Sequence, residues 1–278
     1  AASDFEQAVK LDPKDGEAHL GLAFAYLNLD KPQAAIKQSE LAQQVMGDSK
    51  EMHVIRATAY GREGMLTRAE GEFRAALKFA PDDGAIHAGL GNALFSEHRY
   101  HDAIAELNTA AKDAPDNATT YALLARAYAS LGQRDQTIAN AQKAEKLAAS
   151  APIPNNDVQE PLQSTIYVST GEAYSTLGDD KAAMQRFKLA LDTPRSNRVS
   201  VRLAIARLME QKGHDDDSQR QIALALMEAG AGDTHPVSGS QFIQVADLFR
   251  GMHEFELSEN YLQRAKIAGA PDAEVRIG

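Results

Sequence analysis

The sequence predicts an all-α protein, a solenoid built from repeated pairs of helices. Two observations lead to this fold class. Residues of the same type recur every 34 positions over much of the 278-residue chain. Between these positions, apolar residues recur at i, i+3, i+4 and i+7, which is the spacing of one face of a helix. A fixed period of about 20 to 50 residues is the signature of a repeat array, so we expect each period to be one structural unit.

Four columns of residues carry the repeat. Two columns are alanine, one is tyrosine or leucine, and one is proline or glycine. Because small side chains let two helix axes approach to about 8–10 Å, the alanine columns predict contacts between neighbouring helices. The members are Ala8, Ala42, Ala76, Ala110 and Ala144; Ala35, Ala69 and Ala103; Tyr26, Tyr60, Leu94 and Tyr128; and Pro13, Gly47, Pro81 and Pro115.

Each period contains two helical stretches separated by a turn. The first stretch is seen in "EAHLGLAFAYLNLD" (17–30) and in "TYALLARAYASLG" (120–132). The second is seen in "MLTRAEGEFRAALKFA" (65–80), which ends at a proline that a helix interior does not accept. The turn "PDDG" (81–84) then offers a side chain that can cap the next helix. We therefore expect an antiparallel helix pair in every period.

These two stretches together resemble the tetratricopeptide repeat. The first-helix pattern is matched by Tyr121, Leu124, Ala125, Tyr128 and Gly132, and the second-helix pattern by Ala69, Phe73, Ala76 and Pro81. Later in the chain the pattern returns at Gly171, Tyr174, Gly178, Ala183, Phe187 and Ala190. The resemblance covers nearly the whole chain and implies a right-handed α-α superhelical solenoid. The tryptophan usual in the family is absent, and His19, His53, His87, Tyr121 and Tyr167 stand in its place.

The alanine column also predicts the domain organisation. Ala144 and Ala190 are 46 residues apart, 12 more than the period, and the extra residues fall in "APIPNNDVQEPLQS" (151–164). We expect an N-terminal block (1–151) of a half repeat plus four repeats, and an insertion at 152–163. A C-terminal block (164–278) would hold three degenerate repeats and the start of a further helix. Neither end has the polar outer face of a cap, so we expect a segment of a longer array.

The insertion has two interpretations that the sequence leaves open. It is either a local surface loop or a hinge that changes the path of the superhelix between the two blocks. Part of it can be helical, because Asn156 or Asp157 can cap a helix start and Pro161 is accepted in a first turn. The helix that follows would then be longer by a turn or two.

Composition excludes several classes of function. The net charge is −10 and the pI is about 5.3, which argues against binding nucleic acid, where a basic face must displace counterions from phosphates. No run of about 18 apolar residues occurs, so we expect no insertion into a membrane. The chain has no cysteine, which excludes disulfides, zinc–thiolate sites and cysteine nucleophiles. Lack of cysteine suits an oxidising compartment and slightly favours the periplasm over the cytoplasm.

No motif in the sequence indicates catalysis or a cofactor. P-loop, dinucleotide-binding, G-x-S-x-G and H-E-x-x-H patterns do not occur. The histidines at 19, 53 and 87 are one period apart, too far for one metal ion to bind two of them, so we interpret them as packing substitutes for the aromatic residue. The acidic run in "GHDDDSQR" (213–220) is interpreted as a helix start. We therefore expect no enzyme, no cofactor and no metal site.

The resemblance places a binding groove on the first helices, which line the concave side of the superhelix in this family. The family's carboxylate clamp for peptide C-termini is unsupported, because Leu20 and Phe24 stand where lysine and asparagine would be needed. The first half of the groove is mixed apolar and polar, and the second half alternates arginine with acid. The predicted groove residues are Phe24, Asn28, Arg62, Asn92, Phe95, Arg126, Glu172, Arg207, Asp247 and Arg250.

Two functions fit these patterns. The first is a non-enzymatic scaffold that binds a peptide or partner protein in the groove. The second is a periplasmic module of a bacterial exopolysaccharide system, because the chain is similar to the long arrays of the cellulose synthase C-subunit type. An export signal or a barrel-like domain in the same gene would favour the second function.

Overall fold

A computed structural model describes residues 2–152, 160–230 and 237–270. Over these residues the chain forms fifteen α-helices and no strand. The helices are α1 (Ala2–Leu11), α2 (Gly16–Asn28), α3 (Pro32–Met46), α4 (Lys50–Arg62), α5 (Leu66–Phe79), α6 (Gly84–Ser96), α7 (Tyr100–Asp113), α8 (Ala118–Ser130), α9 (Arg134–Ala149), α10 (Leu162–Thr176), α11 (Asp180–Asp192), α12 (Arg198–Gln211), α13 (Asp215–Gly230), α14 (Gly239–Gly251) and α15 (Phe255–Ile267).

The predicted all-α repeat fold is confirmed. A half repeat, α1, is followed by seven helix pairs, from α2–α3 to α14–α15, and the two helices of each pair contact each other. The helix expected near the C-terminus falls at 271–278, outside the described residues. In the part of the chain that the structure describes, no helix is both long and apolar enough to cross a membrane.

Caps at the start of the first helices repeat with the period. Asp15, Ser49, Asp83 and Asn117 are the N-caps of α2, α4, α6 and α8, spaced 34 residues apart. Each side chain accepts a hydrogen bond from a backbone N–H of the first turn, for example from Ala18 N to Asp15 Oδ1 at 3.0 Å. Such a cap satisfies a donor that the helix leaves unpaired, so these residues fix where each pair begins.

The turn inside each pair repeats in the same way. A residue with positive φ ends the first helix of every pair, a conformation that costs most side chains free energy and that glycine adopts readily. In the third, fourth and fifth pairs it is His98, Gly132 and Gly178, with φ of 61°, 69° and 75°. This turn reverses the chain and lets the second helix pack antiparallel to the first.

The chain divides into two compact units between Asp116 and Asn117. In the first unit, the members of the alanine columns are buried between helices except Ala8, which is half-buried; Ala69 and Ala103 are fully buried and pack with Phe73 and Leu90. In the second unit, Phe187 of α11 is 1% exposed and belongs to one hydrophobic cluster with Tyr174 of α10 and Val201 of α12. The small columns therefore have the packing role that the sequence predicts.

The helix after the insertion, α10, begins later than the earliest start that the capping residues of the sequence permit. The sequence offers Asn156 or Asp157 as the cap of this helix and Pro161 as a residue of its first turn; the two candidate caps lie outside the described residues. In the structure, Pro161 is instead the N-cap of α10, with extended backbone, and Glu160 is not helical. A residue before proline disfavours helical backbone, which stops the helix from extending back through Glu160. As a result α10 is 15 residues long, only two more than α8.

Helices on either side of the insertion pack together. Within the second unit, α10 contacts both α8 and α9. Arg186 of α11 donates a hydrogen bond to Glu145 of α9 at 3.1 Å. The repeat order is thus kept across the extra residues. A hinge at 152–163 and the two-block division around it stay predictions.

Candidate functional site

Within each unit, the first helices of neighbouring pairs lie side by side and form what we call the first-helix face of that unit. In the first unit, α2 contacts α4 and α4 contacts α6. In the second unit, α8, α10, α12 and α14 contact one another in that order. All the predicted groove residues lie on these seven helices. The two units are described separately below.

A cavity of about 360 Å³, the α4–α6 cavity, lies between two first helices of the first unit. Thr58 and Arg62 of α4 line one side, and Asn92 of α6 lines the other. Its apolar floor includes Phe73, whose ring packs against Gly89; a Cβ on that glycine would come within 2.5 Å of the ring. The structure therefore brings two predicted groove residues, Arg62 and Asn92, to one cavity.

Arg62 also joins two successive repeats. Its Nη1 donates a short hydrogen bond to the carbonyl oxygen of Leu27 at the end of α2 and lies 3.5 Å from Oδ1 of Asp30. The side chain stays 40% exposed. Because these contacts fix the guanidinium at the cavity wall, Arg62 presents a positioned positive charge there.

A second cavity, of about 560 Å³, lies on α1, α2 and α4. It has an apolar part and an acidic part, and none of the described residues that line it is a lysine or an arginine. Phe24 is 60% exposed and lines this cavity. We call it the acidic-apolar cavity; its main lining residues are Phe5, Leu20, Phe24, Ile55, Asp15, Glu17 and Glu51.

The other two predicted residues of the first unit have different surroundings. Asn28 is exposed at the last position of α2. Phe95 is half-buried, packs against the hydrophobic core of this unit, and has its ring centroid 5.5 Å from that of Tyr100. Phe95 thus contributes to packing between α6 and α7 as well as to the face.

In the second unit, three predicted residues form one line of charges across three first helices. Arg126 Nη2 of α8 is 3.3 Å from Glu172 Oε2 of α10. Arg207 Nη1 of α12 is 3.8 Å from Oε1 of the same carboxylate. The alternation of arginine with acid seen in the sequence is therefore an ion-pair line that ties neighbouring repeats together. Asp247 and Arg250 are exposed on α14.

The three histidines do more than fill the aromatic position. Nδ1 of each ring is 2.6 or 2.7 Å from a side-chain oxygen of the second helix, and in all three repeats that residue comes 19 positions after the histidine. Nε2 of each ring is 2.9 or 3.0 Å from an oxygen of the turn before the first helix. Each ring thus clamps the turn, the first helix and the second helix of its own repeat. The pairs are His19 with Gln38 and Pro13, His53 with Glu72 and Asp48, and His87 with Glu106 and Pro81.

His87 shows the electrostatic effect of this clamp. Both of its ring nitrogens face acceptors, the Glu106 carboxylate and the Pro81 carbonyl, and only the protonated ring can donate to both. Burial acts to lower the pKa of His87, but the hydrogen bond to Glu106, the one to Pro81 and the nearby acidic charges outweigh it and raise that pKa. The clamp is therefore strongest when His87 is charged.

Metal binding has no support in the described residues. No group of three or more histidine or acidic side chains there is arranged to hold a metal ion. The acidic run Asp215, Asp216 and Asp217 lies in the first turn of α13, as the sequence predicts. Carboxylates in that position are stabilised by the helix dipole.

Two sets of residues were missed by reasoning from the sequence: the glutamates of the acidic-apolar cavity and the hydrogen-bond partners of the histidines. Glu17 and Glu51 were not among the predicted residues, although they lie on the same helix faces as Phe24 and Ile55 and could have been found by that spacing. The partners of the histidines could have been found by their constant separation of 19 residues. Arg126 and Glu172 are 46 residues apart, the same separation as Ala144 and Ala190, so the alanine column gives them equivalent positions without showing that their side chains meet.

Solved structures with the same fold come from several bacteria. A tetratricopeptide repeat protein from Parabacteroides merdae aligns with a TM-score of 0.58 and 11% identity over 94% of this chain and 96% of that one. A thermophilic tetratricopeptide repeat protein from Thermus thermophilus gives 0.54 and 19% over 76% and 99%. PilF of Pseudomonas aeruginosa gives 0.53 and 18% over 80% and 95%. At these identities the likeness shows the fold alone.

Sequence comparison identifies the family. No curated protein sequence matches the chain. The family model described as "Tetratricopeptide repeat" matches residues 1–56 and 62–117, which contain α1 to α7. The same arrangement of helix pairs continues through the second unit, where the solved structures of repeat proteins also align. Residues 1–56 and 62–117 therefore belong to the tetratricopeptide repeat family, and the second unit shares its fold.

Proposed function

We propose that the protein is a non-enzymatic scaffold that binds a peptide or a segment of a partner protein on its first-helix face. The fold is that of a protein–protein interaction scaffold. The observation that carries the finer proposal is the α4–α6 cavity, where the exposed amide of Asn92 and the positioned guanidinium of Arg62 stand above an apolar floor. Such a mixture of a few polar groups with apolar surface is typical of sites that hold a ligand.

The ligand would lie across successive first helices. A peptide offers one side chain and one peptide unit every few ångströms, so a row of helices can hold it at several points. In the second unit, the line of Arg126, Glu172 and Arg207 would give such a segment alternating charges to match.

The best test uses Asn92 rather than the arginines. Exchanging Arg126 or Arg207 for glutamate would place carboxylates beside Glu172 and disturb the packing of the repeats, so a loss of binding would have two explanations. Asn92 is exposed at the cavity mouth, and Asn92→Trp would fill the cavity without removing a contact between repeats.

The experiment selects peptides from a random phage-displayed library on the immobilised full chain. Binding of the selected peptides to the parent and to Asn92→Trp is then measured by fluorescence anisotropy. We expect Asn92→Trp to weaken them by about tenfold or more, as hot-spot substitutions do. Asn260→Trp, on an exposed position of the second helix α15, is the matched control and should leave the affinity unchanged. Equal loss in both variants, or in neither, would place the site elsewhere.

The exopolysaccharide function remains a hypothesis about the process in which such a scaffold works. It is compatible with binding on the first-helix face. The full-length sequence of the gene that encodes the chain would test it. An export signal upstream or a barrel-like domain downstream would support it, and a full-length chain ending near this point would count against it.

A further inference from the structure

We infer that the acidic-apolar cavity of the first unit binds a basic segment of a partner protein, in which one or two apolar side chains are flanked by lysine or arginine. This inference rests on the proposed function and names the chemistry of the partner at one place on the first-helix face. Three observations carry it: the exposed Phe24, the arrangement of the lining along the helices, and the charge of the rim.

The apolar part of the cavity offers a place for a side chain. Phe24 is 60% exposed, and Leu20, Ile55 and Phe5 line the same space of about 560 Å³. Leu20 and Phe24 are four residues apart on α2 and therefore lie on one side of that helix. A cavity of this volume accepts a leucine, methionine or aromatic side chain with room for its neighbours.

The acidic part lies toward the N-terminal ends of the two helices. Glu17 precedes Leu20 by one turn on α2, and Glu51 precedes Ile55 by one turn on α4. Both glutamates are exposed, and Asp15 stands beside them at the N-cap of α2. The lining thus changes from carboxylates at one end to apolar side chains at the other.

The charges around the cavity favour a cationic partner. Three carboxylates line it, and one Asp15 oxygen is occupied by the N–H of Ala18. Lys50, next to Glu51 in the chain, is 4.0 Å from Glu51 and 3.3 Å from Asp83, so it is shared between two acids. The net charge at this end of the cavity stays negative. Complementary charge steers association and suppresses wrong partners, so a neutral or acidic segment should bind less well here.

The aromatic ring adds to the same preference. A lysine or arginine side chain can lay its aliphatic stem on Phe24 and bring its charged end to Glu17 or Glu51, and a cation over an aromatic face is itself attracted. A segment with an apolar residue between basic ones would use both parts of the cavity at once. Neither a purely basic nor a purely apolar segment would do so.

The test uses the full chain and three labelled synthetic peptides that differ in one property each. The peptide GSKKLFKKSG carries both features, GSKKSSKKSG lacks the apolar residues, and GSEELFEESG has the charges reversed. We expect the first to bind at least about tenfold more tightly than either of the others by fluorescence anisotropy in moderate salt. Its affinity should fall as salt rises, because surface charge attraction is screened.

Variants then assign the binding to the cavity. Phe24→Ala should weaken GSKKLFKKSG by about tenfold, and the double variant Glu17→Gln/Glu51→Gln by about fivefold with a smaller dependence on salt. The matched control is Phe255→Ala with Glu256→Gln on α15, since Phe255 is 63% exposed and Glu256 is exposed. This control should change neither the affinity nor its salt dependence.

Each other outcome overturns the inference. Equal binding of GSKKSSKKSG would show attraction without use of the apolar cavity, and equal binding of GSEELFEESG would remove the charge preference. Absence of binding up to about 1 mM, or equal loss in the Phe255 control, would also refute it. If the phage-selected peptides depend on Asn92 but contain no basic residues and ignore Phe24, the proposed function stands and this inference falls.

Discussion

The ion-pair line of the second unit gives the sharpest test of how neighbouring repeats are held together. Glu172→Gln keeps the size of the side chain and removes the charge that Arg126 and Arg207 share. The two arginines would then face an amide that attracts them weakly. We expect the variant to be less stable than the parent. The loss should be the sum of two ion-pair interactions, Arg126 with Glu172 and Arg207 with Glu172.

The size of the effect follows from the distances and the exposure. At 3.3 and 3.8 Å, the Coulomb attraction of unit charges in water is about 1 kcal/mol for each pair. The three side chains are between 28% and 45% exposed, so solvent screens them and ordering them costs entropy. Measured couplings of such pairs are about 0.2–1 kcal/mol. Glu172→Gln should therefore lower the free energy of unfolding by about 0.5–2 kcal/mol.

The assay is urea unfolding followed by circular dichroism, at low and at high salt. Double-mutant cycles with Arg126→Gln and with Arg207→Gln separate the two couplings. Both should be measurable at low salt and should shrink at high salt, and the shorter pair with Arg126 should be the larger. If Glu172→Gln unfolds at the same urea concentration as the parent and neither cycle shows coupling, the line does not stabilise the unit.

Three further predictions test the turns, the core and the clamp. Gly132→Ala should destabilise the protein by about 1–2 kcal/mol in urea unfolding because φ is 69° there, although no atom would meet the new Cβ. The matched Gly71→Ala, on an exposed and open helical position, should instead stabilise by about 0.5–1 kcal/mol. Phe187→Ala should cost about 3–5 kcal/mol in the same measurement, since the ring is fully buried. His87 should titrate above its ordinary pKa by NMR, and Glu106→Gln should lower that pKa; the stability from this clamp should be complete below about pH 6.5 and lost as pH rises through the raised pKa.

These predictions fail in distinct ways. Equal stability of Gly132→Ala and the parent would mean that the turn relaxes to another backbone conformation. A cost of Phe187→Ala below about 1 kcal/mol would mean that α10, α11 and α12 collapse around the missing ring. An unchanged His87 titration in Glu106→Gln would show that the carboxylate does not hold the proton on the ring.

Much of the fold could be predicted from the sequence because each repeat is specified locally. The N-caps at Asp15 and Asp83, the glycine at 132 and the buried alanine columns all act within one helix pair or between neighbours. A cap, turn or buried position identified in one repeat therefore predicts the equivalent residue of the next repeat. The start of α10 was predicted less well, because the backbone restriction before Pro161 outweighed the available capping residues.

The candidate site could be predicted only as a face. Helical spacing assigns Phe24, Asn92 and Glu172 to the first helices, but it does not say which side chains meet. The contact of Arg62 with the end of α2 and the pairing of Arg126 with Glu172 depend on how adjacent helices pack. Such contacts join residues on different repeats, and their geometry is set by packing rather than by spacing.

The histidine clamp has a consequence for how the array can change in length. Every hydrogen bond of the His53 and His87 rings to the turn and the second helix stays between residues 48–72 or 81–106, inside a single period. A deletion or duplication of 34 residues would therefore carry a complete clamp with it and leave the neighbouring ones whole. Loss or gain of one such repeat would leave the remaining histidine clamps intact, whereas contacts between repeats, such as that of Arg62 with Leu27, would have to form anew.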